Sequence, residues 1–123
     1  LQALIDAVPE SISLFDLVRG GDGQVVDFRY ASVNAAVRAM SGLAEDNLLG
    51  HTLLELFPGL HGDASFAGYL DAARTGQPYR ASGHYAADGF DHDYETEARP
   101  LGDQLLVTFR DVTAERRAER NQL

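Results

Sequence analysis

The 123-residue chain contains no cysteine. That absence excludes a disulfide framework, Cys-ligated zinc, a thiol nucleophile and any cysteinyl photoadduct. It agrees with a reducing, cytoplasmic setting. Lysine is missing too, and all ten basic residues are Arg, which reflects genome composition more than chemistry. Positive charge is scarce: Lys and Arg total 10 against 19 Asp and Glu, a formal net charge of -9 and a pI near 4.7. A chain so acidic is repelled by phosphate backbones and anionic lipid, so neither nucleic acid nor a membrane surface is an expected partner. No apolar run reaches the length of a membrane span, and no signal peptide opens the chain. The ends have the look of an excised piece, so an anchor elsewhere in a parent protein is compatible with this reading. What is present is ordinary for a globular protein, with 45% hydrophobic and 24% charged residues. The length suits one domain with one core.

Leu1, Leu4, Ile5 and Val8 fall on one stripe of a short amphipathic helix that Pro9 stops. Ile12 to Val18 reads as a strand and Arg19 to Gly23 as the turn after it. Gln24 to Ala31 reads as a second strand, with Val26, Phe28 and Tyr30 on its buried face and Val25, Asp27 and Arg29 on the other. Ser32 or Asn34 can cap the helix that follows; Val33, Val37 and Met40 form its stripe and Gly42 suits its end. Thr52 and Glu55 have capping-box spacing at the head of a short helix that Pro58 ends. Asp63 caps a longer helix with Phe66, Leu70 and Ala73 inward and Tyr69 beside them, closed by Gly76 and Pro78.

The last third is strand-like. Asp88-Gly89 is a two-residue hairpin turn. With that turn, Tyr85 faces His92 and Ala87 faces Phe90 on the core side. Arg80 then meets Glu97, and His84 meets Asp93, on the opposite face. A slip of one residue would break both pairings and bury the acids. Pro100 to Asp103 makes the next turn, and Gln104 to Arg110 the final strand, with Leu105, Val107 and Phe109 on one face. After Asp111-Val112-Thr113 the chain becomes a Glu/Arg-rich helix. The tally is an α+β protein with five strands and short helices over one sheet face.

This order, from about Leu1 to Glu119, resembles the PAS family. The resemblance rests on Leu4 to Ile12, on Val26 to Tyr30 running into Val33-Asn34-Ala35-Ala36, and on Leu49 to Pro58. It rests further on Thr75-Gly76-Gln77-Pro78 and, above all, on Pro100 to Asp103, the strand, and Asp111-Val112-Thr113 before the charged helix. Two positions depart from the family's habit: Asp93 stands where many relatives carry an aromatic residue, and His51 where Arg or Lys is commoner. The resemblance implies a five-stranded antiparallel sheet in the order 2-1-5-4-3. It implies a sensing or dimerising role inside histidine kinases, cyclic-nucleotide enzymes, phosphatases or transcription regulators. It divides the chain into a sensory domain over residues 1–112, with a flanking helix at 1–8, and the start of a coiled-coil linker at 113–123. By the same analogy Asp111 and Thr113 form the hinge between sheet and output helix. On physical grounds alone, Asp or Thr at a strand-to-helix junction caps the helix.

The candidate chemistry is narrow. Haem-binding relatives use a His on the long helix, and Gly62 to Thr75 contains none, which argues against haem. A cysteinyl flavin is excluded, while non-covalent flavin or a small metabolite stays open. Val26, Phe28, Tyr30, Val37, Met40, Leu56, Tyr69, Tyr94 and Phe109 could line a cavity, or fill an ordinary core. Asp91, His92 and Asp93 alternate between faces and cannot converge on one metal ion. Asp91, Asp93, Glu95 and Glu97 share one face of one strand and read as a solvated edge or a docking surface, not an acid/base pair. In the closing helix Val112, Glu119 and Leu123 approach heptad spacing, which suggests a dimeric linker. The leading expectation is a sensory module that forms a homodimer and relays a change through Asp111–Thr113 to an output domain of the same polypeptide. A ligand-free dimerisation module is the alternative, and a small cone-shaped α+β enzyme the last.

Overall fold

Alternating apolar residues and tight turns organise the second half of the chain, and the computed structural model, which describes residues 2–122, shows how. The strands are β1 Ser11–Arg19, β2 Val25–Val33, β3 Tyr79–Ala87, β4 Phe90–Leu101 and β5 Gln104–Asp111. They pair antiparallel in one sheet of order β2-β1-β5-β4-β3, the order the resemblance implied. Between and around them lie α1 Gln2–Asp6, α2 Ala35–Ser41, α3 Glu45–Leu48, α4 Leu53–Leu56, a 3-10 turn Pro58–Leu60, α5 Ala64–Thr75 and α6 Thr113–Asn121. Among the described residues no helix is long and apolar enough to cross a membrane.

The β3–β4 hairpin has the register that its turn dictates: Arg80 lies opposite Glu97, His84 opposite Asp93 and Tyr85 opposite His92. Asp88 and Gly89 take φ of 54° and 85°, two successive left-handed residues whose twist suits the flanking strands. The following turn is tighter than the sequence suggested. Pro100 and Leu101 stay in β4, paired with Leu105 and Gln104, and only Gly102 and Asp103 turn.

β2 departs from the expected faces. Arg19 pairs with Val25 and Val18 with Asp27, so Val26 is an extra residue in a β-bulge. The bulge reverses the alternation locally: Val25 is 1% exposed and Val26 42%. Beyond it Phe28 and Tyr30 point inward as their parity requires.

The caps follow the sequence closely. The Asn34 carboxamide oxygen accepts from Val37 N–H, whereas Ser32 belongs to β2. Thr52 and Glu55 form a complete capping box, and Asp63 accepts from the N–H groups of Ser65 and Phe66. The inward face of α5 is Phe66, Tyr69 and Ala72, with Leu70 and Ala73 only partly buried at its margin. α1 corrects the sequence reading more sharply. Leu4 is 73% exposed, so the apolar stripe does not dock; Leu1 lies outside the described residues. Polar bonds anchor the segment instead: Asn34 Nδ2 donates to the carbonyl of Ile5 and Ala35 N–H to Asp6. The core gathers Phe15, Phe28, Leu105 and Val107 from the sheet with Val37, Leu48, Leu53 and Phe66 from the helices.

Candidate functional site

A cavity of about 130 Å³ lies between the sheet and the helices. Ser11, Ser13, Phe15, Tyr30, Tyr94, Val107 and Phe109 form its sheet wall, while Val37, Met40, Leu53, Phe57 and Tyr69 come from the helical side. Tyr85, Phe90 and His92 close the hairpin end. Of the nine residues proposed from sequence, Tyr30, Val37, Met40, Tyr69, Tyr94 and Phe109 meet at this cavity. Val26 does not, because the bulge turns it to solvent. Phe28 is fully buried outside the cavity wall, its ring 6.0 Å from Phe15 and 5.7 Å from Phe66. Leu56 packs against the core, and its neighbours Leu53 and Phe57 take its place in the wall. The residues missed include apolar ones such as Phe15, Leu53, Phe57 and Val107 and polar ones such as Ser11, Ser13, Ser65 and His92. Ser11 and Ser13 share the parity of Phe15 in β1, a signal that a search for apolar side chains passes over.

Two hydrogen bonds tie helix α5 to β4 at the wall. Ser65 Oγ and the Tyr94 hydroxyl lie 2.5 Å apart. Tyr69 and Thr96 share a hydrogen bond of 2.6 Å, and Thr96 donates onward to the carbonyl of Thr108. Burial pushes the Tyr30, Tyr69 and Tyr94 phenols up, so all three are neutral near pH 7. The partner of Ser65 is therefore a weak acid rather than a base. The Tyr94 and Phe109 rings stack with centroids 4.9 Å apart and planes 18° apart.

At one end the cavity reaches the junction of sheet and last helix. His92 lines the cavity, and its Nδ1 lies 2.9 Å from Asp111 Oδ2. The other Asp111 oxygen, Oδ1, accepts from the Thr113 N–H at 2.9 Å and from its hydroxyl at 2.5 Å. Val112 occupies the N-cap position with no side-chain bond, so Asp111, one residue earlier, serves the first turn of α6. Burial pulls the Asp111 pKa up, but the Thr113 bonds and the His92 ring outweigh it and hold the carboxyl below its ordinary value. Thr113 Oγ1 also accepts from the N–H of Asp93 at 2.9 Å, and Val112 N–H donates to the Asp93 carbonyl at 2.8 Å. Asp111 and Thr113 thus bond the start of α6 to β4.

The outer face of the sheet carries paired charges. Glu97 contacts Arg80 at 2.9 Å and Arg99 at 2.5 Å, and Glu95 contacts Arg110. Asp91 and Asp93 approach opposite nitrogens of His84, at 2.6 and 2.8 Å, and so bracket the ring instead of converging on a point. Among the described residues no group of three His, Cys, Asp or Glu side chains could hold a metal ion. The hydrogen bond to Asp93 raises the His84 pKa, and the same bond lowers that of Asp93.

Comparison with known proteins agrees with this architecture. The family model for the PAS fold matches residues 26–117. A domain of the sensory box sensor histidine kinase/response regulator from Geobacter sulfurreducens is 22% identical, with a TM-score of 0.66 over 89% of this chain and 90% of that one. The Rhodobacter sphaeroides LOV protein is 19% identical, with a TM-score of 0.72 over 98% of this chain and 69% of that one. The PAS domain of Bordetella pertussis BvgS is 21% identical, with a TM-score of 0.64 over 98% and 90%. At such identities the likeness is one of fold. A search of curated protein sequences gave no match.

Proposed function

The chain belongs to the PAS fold family, and we propose that it is a sensory module whose cavity takes a small molecule and whose last helix reports its arrival. The observation that carries this reading is the contact between cavity and output junction: the hairpin strand that closes the cavity is the strand to which Asp111 and Thr113 are bonded. Occupancy favours one arrangement of β4 against α6, and the helix passes the shift on to an output domain. The role is regulatory, in keeping with the PAS fold family. Size narrows the ligand. At about 130 Å³ the cavity is close to the ~150 Å³ apolar cavity that holds benzene. It is well below the roughly 300 Å³ at which pockets for larger ligands begin. This favours a small metabolite over a flavin. The working assembly is a homodimer, with residues 113–123 leading into the linker.

Native mass spectrometry with a denatured control, and an absorbance spectrum on the same sample, tests the proposal. A non-covalent mass surplus that disappears on denaturation supports the sensor. A bare polypeptide dimer that no small molecule loads supports a ligand-free dimerisation module instead, and a monomer at micromolar concentration counts against the dimer.

A further inference from the structure

We propose that His92 is the residue through which the cavity is read, and that the ligand is a compact aromatic molecule carrying one hydroxyl, of the phenol class. The inference rests on the small-ligand reading above and adds the ligand's chemistry and the path of coupling. His92 stands at a boundary. With Ser11, Met40 and Phe109 it borders both the cavity and an outer groove that Asp111 and Glu115 line. Its Nδ1 lies 2.9 Å from the Asp111 carboxylate. A carboxylate only accepts, and two acceptors at that distance repel, so the ring proton resides on Nδ1. In its neutral form such a ring has an acceptor at Nε2, and among the described residues no hydrogen bond engages that atom. A ligand group that suits this position is an O–H donor. The rest of the ligand meets aromatic walls: Tyr94 stacks on Phe109, and Phe90 lies 5.6 Å from the His92 ring. A single hydroxylated ring matches both the walls and the volume.

Coupling follows from the shared imidazole. A hydroxyl donating to Nε2 makes the ring a stronger donor at Nδ1, which tightens the contact with Asp111. Asp111 holds the first N–H of α6 and the Thr113 hydroxyl, so the change arrives at the helix start.

The test is a titration of the whole 123-residue chain, followed by amide NMR, with phenol and separately with benzene. Phenol is expected to bind about fivefold tighter than benzene, the worth of one hydrogen bond. It should move the amides of Asp93, Val112 and Thr113 as well as those of the cavity. His92→Phe should keep cavity binding but lose the preference for phenol and the junction shifts. Asp111→Asn should keep the preference and lose most of the junction shifts, and it carries the test if His92→Phe does not fold. Equal binding of phenol and benzene, or a phenol preference that survives His92→Phe, overturns the inference and leaves the small-ligand reading standing. Silence of the cavity amides to both probes removes that reading and this inference together.

Discussion

The hydroxyl of Thr113 accepts the N–H of Asp93 at 2.9 Å, where a longer β5 would have presented the carbonyl of Val112. The opposite half of that strand pair is intact, since Val112 N–H donates to the Asp93 carbonyl. The Val112 carbonyl has turned away to accept from Arg116 N–H at 2.9 Å, the first bond of α6. A side-chain oxygen therefore completes the sheet while the backbone begins a helix.

Thr113→Val keeps the shape and removes that oxygen. The Asp93 N–H then loses its acceptor, which costs about 1–3 kcal/mol. Hydrogen exchange should quicken at Asp93 and Arg116 while the β1–β2 amides stay protected, and Thr113→Ser should restore the slow rates. Equal exchange in the Val variant and the wild type would show that the hydroxyl is dispensable.

Asn34 is 0% exposed and joins four segments. Its oxygen accepts from Ile12 and Val37 N–H, and its amide donates to the carbonyls of Ile5 and Glu10. Asn34→Ala orphans several partly buried groups at once and should cost about 3 kcal/mol or more in urea unfolding. Asn34→Asp should not rescue it, because a carboxylate cannot donate to those carbonyls.

The bulge at Val26 makes a paired prediction. Val25→Ala removes a fully buried side chain and should cost about 2 kcal/mol, whereas Val26→Ala on the exposed side should stay within about 0.5 kcal/mol. The reverse ranking in denaturant midpoints would place the bulge elsewhere.

The His84–Asp93 pair should give stability a pH signature. His84 is raised, chiefly by its hydrogen bond to Asp93, so its contribution is complete below the ordinary His value of about 6.5 and is lost as pH rises through the raised value. Asp93 is lowered, chiefly by the same bond, so its contribution is present above about 3.9 and is lost as pH falls through the lowered value. The difference in melting temperature between wild type and His84→Gln should therefore be largest near pH 5 to 6 and fade toward pH 9. The ring is half exposed and screened, so the effect is small and is read as the shape of the curve. A difference that grows with pH would contradict the pairing.

Much of this was written locally. Asp88-Gly89 forced a hairpin register that carried Arg80 to Glu97 and His84 to Asp93. Thr52 with Glu55, and Asp63, satisfied free N–H groups within a few residues of themselves. Strand order came from the family resemblance rather than from any local signal, and the sheet follows it. The candidate cavity was legible only in part. Tyr30 and Phe28 have the same parity and the same burial, yet one borders the cavity and the other is packed among Phe15, Phe66 and Tyr69.

The sequence by itself determined the elements, their caps and the hairpin pairing, because those depend on dihedral preferences and hydrogen bonds between near neighbours. Tertiary structure alone decided the rest. The bulge that expels Val26 exists only in the pairing of β2 with β1. The nearness of His92 to Asp111 depends on β4 lying beside β5, so that a residue from the hairpin meets the end of the last strand. Whether an inward side chain meets a cavity or a neighbour is settled by how helices and sheet fill their shared volume, which periodicity along one strand does not encode.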